Sequence, residues 1–106
     1  MTIVSLSKVL TFSGTFSGST LSLTVTLSRT LPDTVYAWTD IQSEDGNWLG
    51  GKQLILSPGQ TTITGNATNI NLPVGATKLK LANMNIVPAV SDGVDVTYDP
   101  VQYINI

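Results

Sequence analysis

The stretch STLSLTVTLSRT, residues 19 to 30, constrains this chain more than any other. Leu21, Leu23, Val25 and Leu27 alternate there with Ser22, Thr24, Thr26 and Ser28. Successive side chains of a strand point to opposite faces, so the pattern demands a β-strand with one dry face and one wet one. A helix would scatter the same four apolar residues around its circumference. The rest of the chain must therefore supply a second apolar surface to cover that dry face.

Further strands follow from the same period. Residues 2 to 12 put Val4, Leu6, Leu10 and Phe12 on one face, broken by Lys8. The tandem TFSG at 11–14 and 15–18 brings two glycines and polar neighbours, and reads as a flexible hairpin connection. Residues 33 to 42 alternate Val35, Ala37, Thr39 and Ile41 with Tyr36, Trp38 and Asp40, so both faces carry bulk. SEDGN at 43–47 is a turn pivoting on Asp45-Gly46. Gly50-Gly51 then precedes a short strand around Lys52 to Leu56, and SPGQ at 57–60 turns the chain again. A strand over Thr61 to Ala67 slips phase near Gly65, Asn66 and Asn69 before Ile70 and Leu72 resume the alternation. Residues 76 to 87 imply another slip near Asn83, because Leu79 and Leu81 are odd while Met84 and Ile86 are even. Val94 to Tyr98 and Val101 to Ile106 flank Asp99-Pro100, where the missing amide hydrogen suits an edge or a bulge.

These elements make seven or eight short strands, and no helical period lasts beyond one turn. Val, Ile and Thr supply 33 of the 106 residues, and β-branched side chains suit a pleated, half-wet surface. The expectation is an all-β, antiparallel β-sandwich, immunoglobulin-like or jelly-roll-like, forming a single domain over residues 1–106. A partly open barrel is the second choice. The long hydrophobic strands, the Asp-Gly turn after the third strand and the short Leu-rich strand before Pro-Gly together resemble extracellular immunoglobulin-type modules. Small adhesion and carbohydrate-associated domains of that shape use similar turns. The cysteine pair of immunoglobulin domains is absent here.

Composition narrows the chemistry. With no Cys and no His there is no disulfide, no thiol redox step, no Cys/His zinc site, no histidine general base and no Ser-His-Asp relay. Five basic and seven acidic residues leave a net charge of -2 and no basic stripe for a polyanion, so nucleic acid is not an expected partner. No apolar run is long enough to span a bilayer as a helix, and no membrane insertion is expected. Lys8 sits inside the first apolar run rather than before it, which makes a poor signal peptide. Asp92, Asp95 and Asp99, and separately Glu44, Asp45 and Asn47, fit turn chemistry better than a calcium loop. No cofactor, metal or catalytic residue is expected.

The candidate ligand or interface group is aromatic. Tyr36 and Trp38 share a face with Asp40, and Trp48 follows the turn. If that face is wet, the rings could stack on a sugar or grip a protein loop, with Asp40, Asp45 and Asn47 at the rim. The competing reading places at least one tryptophan in the core. Lys8 either reaches the rim or pairs with a carboxylate; its position, with Asn105 in the last strand and Asp95 as an acid, also resembles the lysine–asparagine cross-links of some bacterial surface sandwiches.

Fifteen Thr and ten Ser outnumber twelve charges, and in the second strand every outward position between the apolar residues is Ser or Thr. The function expected first is a non-catalytic structural or adhesive module using sheet-face or edge contacts, for instance a decoration or fibre component of a virion or cell surface. It would form a homo-oligomer or meet a protein partner, at an extracellular or surface location rather than in the cytoplasm. The C-terminal run VQYINI offers one such edge. A carbohydrate-binding module, with a glycan as partner, is the alternative.

Overall fold

The structure is a computed structural model that describes residues 8–106. In chain order its strands are β1 (Leu10–Ser17), β2 (Thr20–Leu27), β3 (Val35–Ser43), β4 (Trp48–Leu56), β5 (Thr62–Ala67), β6 (Lys78–Val87), β7 (Val90–Ser91), β8 (Val94–Asp95) and β9 (Gln102–Asn105). All pairings are antiparallel. They form a three-stranded sheet in the order β1-β2-β5, a four-stranded sheet in the order β4-β3-β6-β9, and the small β7-β8 hairpin.

The alternation in β2 has the predicted consequence. Leu21, Leu23, Val25 and Leu27 are all buried, and they join Val35, Ala37, Ile41, Leu56, Leu79 and Leu81 of the four-stranded sheet in one apolar cluster. Burying each such side chain contributes roughly 1.5–3 kcal/mol, so this shared cluster dominates what holds the two sheets together. The sheets approach closely at both margins. Gly14 on β1 faces Ile104 on β9, and Gly65 on β5 faces Leu54 and Lys52 on β4.

Two connections expected from the sequence are strands instead. The tandem TFSG lies within β1, and the chain turns only at Gly18-Ser19. A repeat of four residues is a multiple of the strand period, so Phe12, Gly14 and Phe16 stay on the inner face. Val4 and Leu6 lie outside the described residues. Gly50-Gly51 likewise belongs to β4, which begins at Trp48 rather than near Lys52. Both glycines are there because a neighbour needs the space: a Cβ on Gly50 would meet Ile70 Cδ1, and one on Gly51 would collide with the indole of Trp38. Ile70 is buried but sits outside any strand, its amide donating to the Ser19 carbonyl.

The expected turn at Asp45-Gly46 and the slip near Asn83 hold, whereas nine strands form among the described residues rather than seven or eight, and the strand expected over Val94 to Tyr98 is reduced to β8. Glu44-Asp45-Gly46 forms a three-residue hairpin loop, with Gly46 at φ 92° and its amide donating to the Ser43 carbonyl. In β6, Asn83 has φ 52° and the register against β3 skips a residue between Trp38 and Asp40. That bulge is the phase slip seen between Leu81 and Met84. The short β7-β8 hairpin turns on Asp92-Gly93, and the buried Ser91 hydroxyl donates to Asp33 Oδ2 at 2.7 Å. Among the described residues no helix is long and apolar enough to cross a membrane.

Two of the four edges of the larger sheets, β1 and β4, are blunted. At the start of β1, the amides of Leu10 and of Val9 just before it donate to the Thr97 carbonyl, and that of Phe12 donates to Gln102 Oε1. On β4, Lys52 lies opposite the buried Thr39 and points between the sheets. An inward-pointing charge on an edge strand discourages a second chain from pairing there. The predicted C-terminal edge exists as β9, but it is only four residues long. Lys8 pairs with Asp99 at 3.6 Å, whereas Asn105 lies exposed opposite Lys78. The ion pair is the rim role, and nothing brings Lys8 to Asn105 for a cross-link.

Candidate functional site

The two outer faces differ in chemistry. On the three-stranded sheet, the outward positions are Thr11, Ser13, Thr15 and Ser17 on β1, Thr20, Ser22, Thr24 and Thr26 on β2, and Thr62, Thr64 and Asn66 on β5. The register stacks them side by side, as in Ser13↔Thr24↔Thr64 and Thr11↔Thr26↔Thr62. Thr24 and Thr64 share a hydrogen bond of 2.8 Å between their hydroxyls. No outward position of this sheet carries a charge.

The four-stranded sheet carries the aromatic candidates. Its inward β3 residues are Val35, Ala37, Thr39 and Ile41, all buried, so Tyr36, Trp38 and Asp40 project outward. Tyr36 is exposed and lies between Ile55 and Val87, giving an apolar row across three strands. Trp38 is half-buried against the outside of its own sheet. Its Nε1–H donates to Asp40 Oδ1 at 3.0 Å, and Asn83 Nδ2–H donates to Asp40 Oδ2 at 2.9 Å. The Asp40 carboxylate therefore orients the indole, with the benzo ring set over Gly51.

Neither tryptophan belongs to the core, contrary to the competing expectation. The inner face of β3 is filled by residues of smaller volume, and Trp48 at the start of β4 is 64% exposed. The six candidates also do not form one platform. Trp48 pairs with Gln42, four positions along β3 from Trp38, which is about 13 Å. Asp45 lies in the hairpin loop and Asn47 at its end, where the Asn47 amide donates to Ser43 Oγ. The rim of Trp38 is built instead by Asp40 and Asn83, with Gln53 and Asn85 opposite it on the flanking strands. Asn83 was legible only as a phase slip, and Gly51 only as a break between strands.

Beyond Asp40, an open groove of about 550 Å³ continues along the same face, lined by Gln42, Lys80, Asn83, Met84, Tyr98 and Val101 among others. A second, smaller depression of about 230 Å³ lies by Glu44, Asp45 and the 73–77 segment. Among the described residues no three acidic side chains converge as a metal group would. Comparison of the chain with protein-family models, curated proteins and solved structures finds no match.

Proposed function

We propose that the chain is a single β-sandwich domain, immunoglobulin-like or jelly-roll-like, serving as a non-catalytic structural or adhesive module at a virion or cell surface. Its contact surface is the outer face of the three-stranded sheet, and its partner is a second copy of the chain. The observation that carries this reading is the uncharged face of ten hydroxyl residues and Asn66. Hydroxyls cost far less to desolvate than charges, and a pleated face of short side chains is nearly flat. The blunted edges of β1 and β4 turn the contact away from strand addition.

Size sets the strength of that contact. Three strands about 4.8 Å apart, two of eight residues and one of six, make a face of at most about 14 by 27 Å. That is about half the 800 Å² per partner of a standard interface. A weak contact repeated over an array or fibre fits this area better than an isolated stable dimer. Light scattering over a concentration series tests it: the wild type self-associates at high concentration, and Ser13→Lys, a charge placed on the face, abolishes this without loss of fold. A wild type that stays monomeric at every concentration, or a Ser13→Lys protein that associates equally well, removes the reading.

A second reading applies to the opposite face. Trp38, held by Asp40 and Gly51 with part of its ring exposed, supports stacking on a sugar. A glycan-array signal abolished by Trp38→Ala in a folded protein supports it; unfolding by Trp38→Ala, or an array with no signal, counts against it.

A further inference from the structure

We propose that the groove beyond Asp40 is the binding site for one acidic sugar residue, a pyranose carrying a carboxylate. This rests on the sugar-binding reading of the Trp38 face and extends it to a specific site and ligand class. The first observation is Gln42. The residue as a whole is only 8% exposed, yet its side chain makes no hydrogen bond to another described residue. None of its polar atoms is sealed from solvent, and the opening available to it is the groove it lines, with Oε1 beneath Gly46. It is an amide on a mostly buried residue, with a donor and an acceptor left for a ligand.

The second observation is Lys80. It lines the same groove, and among the described residues it forms no ion pair, the one such pair being Lys8–Asp99. Its neighbour Lys78 is already engaged over the Tyr103 ring, 5.0 Å from the centroid. A ligand anion would meet an uncompensated ammonium there. Asn83 spends its Nδ2–H on Asp40 and keeps Oδ1 as an acceptor.

The rest of the lining mixes apolar side chains, Ala82, Met84, Pro100 and Val101, with the Tyr98 phenol and Gly46. Such a surface matches the C–H face of a pyranose, as Gln42 matches neighbouring hydroxyls and Lys80 a ring carboxylate. The groove's volume lies within the roughly 300–1,000 Å³ of small-ligand sites, ample for a monosaccharide unit. It also lies at the other end of the face from the Tyr36–Ile55–Val87 row, about 20 Å along β3.

The test is an NMR titration of the full chain with D-glucuronate and with D-glucuronamide, its uncharged isostere. Glucuronate is expected to shift the Gln42 side-chain amide and the Asn83 and Tyr98 resonances. Glucuronamide should bind about tenfold more weakly, the low end of what a charge-assisted hydrogen bond contributes. Lys80→Gln should erase that preference, and Gln42→Leu should weaken both ligands. Equal binding of the two ligands by the wild type, or undiminished glucuronate binding by folded Gln42→Leu, overturns the proposal. Binding lost in Trp38→Ala but retained in Gln42→Leu keeps the sugar-binding reading and removes the groove. No response to either ligand overturns the groove site, while glycan-array signals dependent on Trp38 still decide the broader reading separately.

Discussion

Replacing Gly51 by Ala tests how the Trp38 face is built. A Cβ at position 51 would collide with the benzo ring of Trp38, so the indole must lift or rotate. Lifting it breaks the Nε1–H bond to Asp40, now 3.0 Å long. A hydrogen bond to a charged group contributes about 1.5–3 kcal/mol when buried, and about 1 kcal/mol is reasonable for this half-exposed pair. Losing roughly 50 Å² of ring burial adds about 1 kcal/mol. Removing a strand glycine returns about 0.5–1 kcal/mol, because alanine has less backbone freedom to lose. The net cost is about 1–2 kcal/mol, or a fall in Tm of roughly 10 °C for a domain of this size.

Gly50→Ala is the internal control. Its Cβ would approach Ile70 Cδ1 at 2.9 Å, the far end of a flexible side chain that can rotate away. Less than about 0.5 kcal/mol should be lost there. Calorimetry gives the Tm values, and the two indole N–H resonances report the geometry. In Gly51→Ala the Trp38 signal should move while that of exposed Trp48 stays. A Gly51→Ala protein as stable as wild type, with both indole signals unmoved, would refute the seating of Trp38 on Gly51.

Other perturbations separate core, edge and loop. Leu81→Ala removes a fully buried side chain shared by both sheets and should cost about 2–5 kcal/mol by denaturant unfolding, whereas Trp48→Ala should stay within about 0.5 kcal/mol. Lys52→Val takes the inward charge off the β4 edge, so sedimentation velocity should show new association even in the Ser13→Lys background; unchanged monomer would mean the lysine protects nothing. Asp33→Ala leaves the buried Ser91 hydroxyl without its 2.7 Å partner and should cost about 1–3 kcal/mol, with amide exchange accelerating first in the β7-β8 hairpin.

The fold was legible wherever an alternation ran uninterrupted. β2 shows this best: its four apolar residues are the inner face and its hydroxyls the outer one. The Asp45-Gly46 turn and the slip at Asn83 were equally readable, since a positive φ and a doubled residue leave local marks. Glycines inside strands misled. At Gly14 the missing side chain makes room for the Ser22 carbonyl and then Ile104, at Gly51 for the Trp38 indole on the neighbouring strand, and the local pattern reveals neither. The site was half legible for the same reason. Tyr36, Trp38 and Asp40 share a face because they share a strand, but Asn83 and Gln42 acquire their roles from β6 and from the groove. Trp48, Asp45 and Asn47 are near in sequence, and the extension of β3 and β4 carries them away from Trp38.

The hydroxyl face of β1, β2 and β5 is the proposed contact surface. Amide chemical shifts of isotope-labelled protein, followed from micromolar to millimolar concentration, test it most directly. Shifts clustered at Ser13, Thr15, Ser22, Thr24 and Thr64, and absent from Ser13→Lys, are the expected result. Shifts clustered along the outer edge of β4 or β9, or on Tyr36, Ile55 and Val87, would contradict it, as would a spectrum that does not change with concentration.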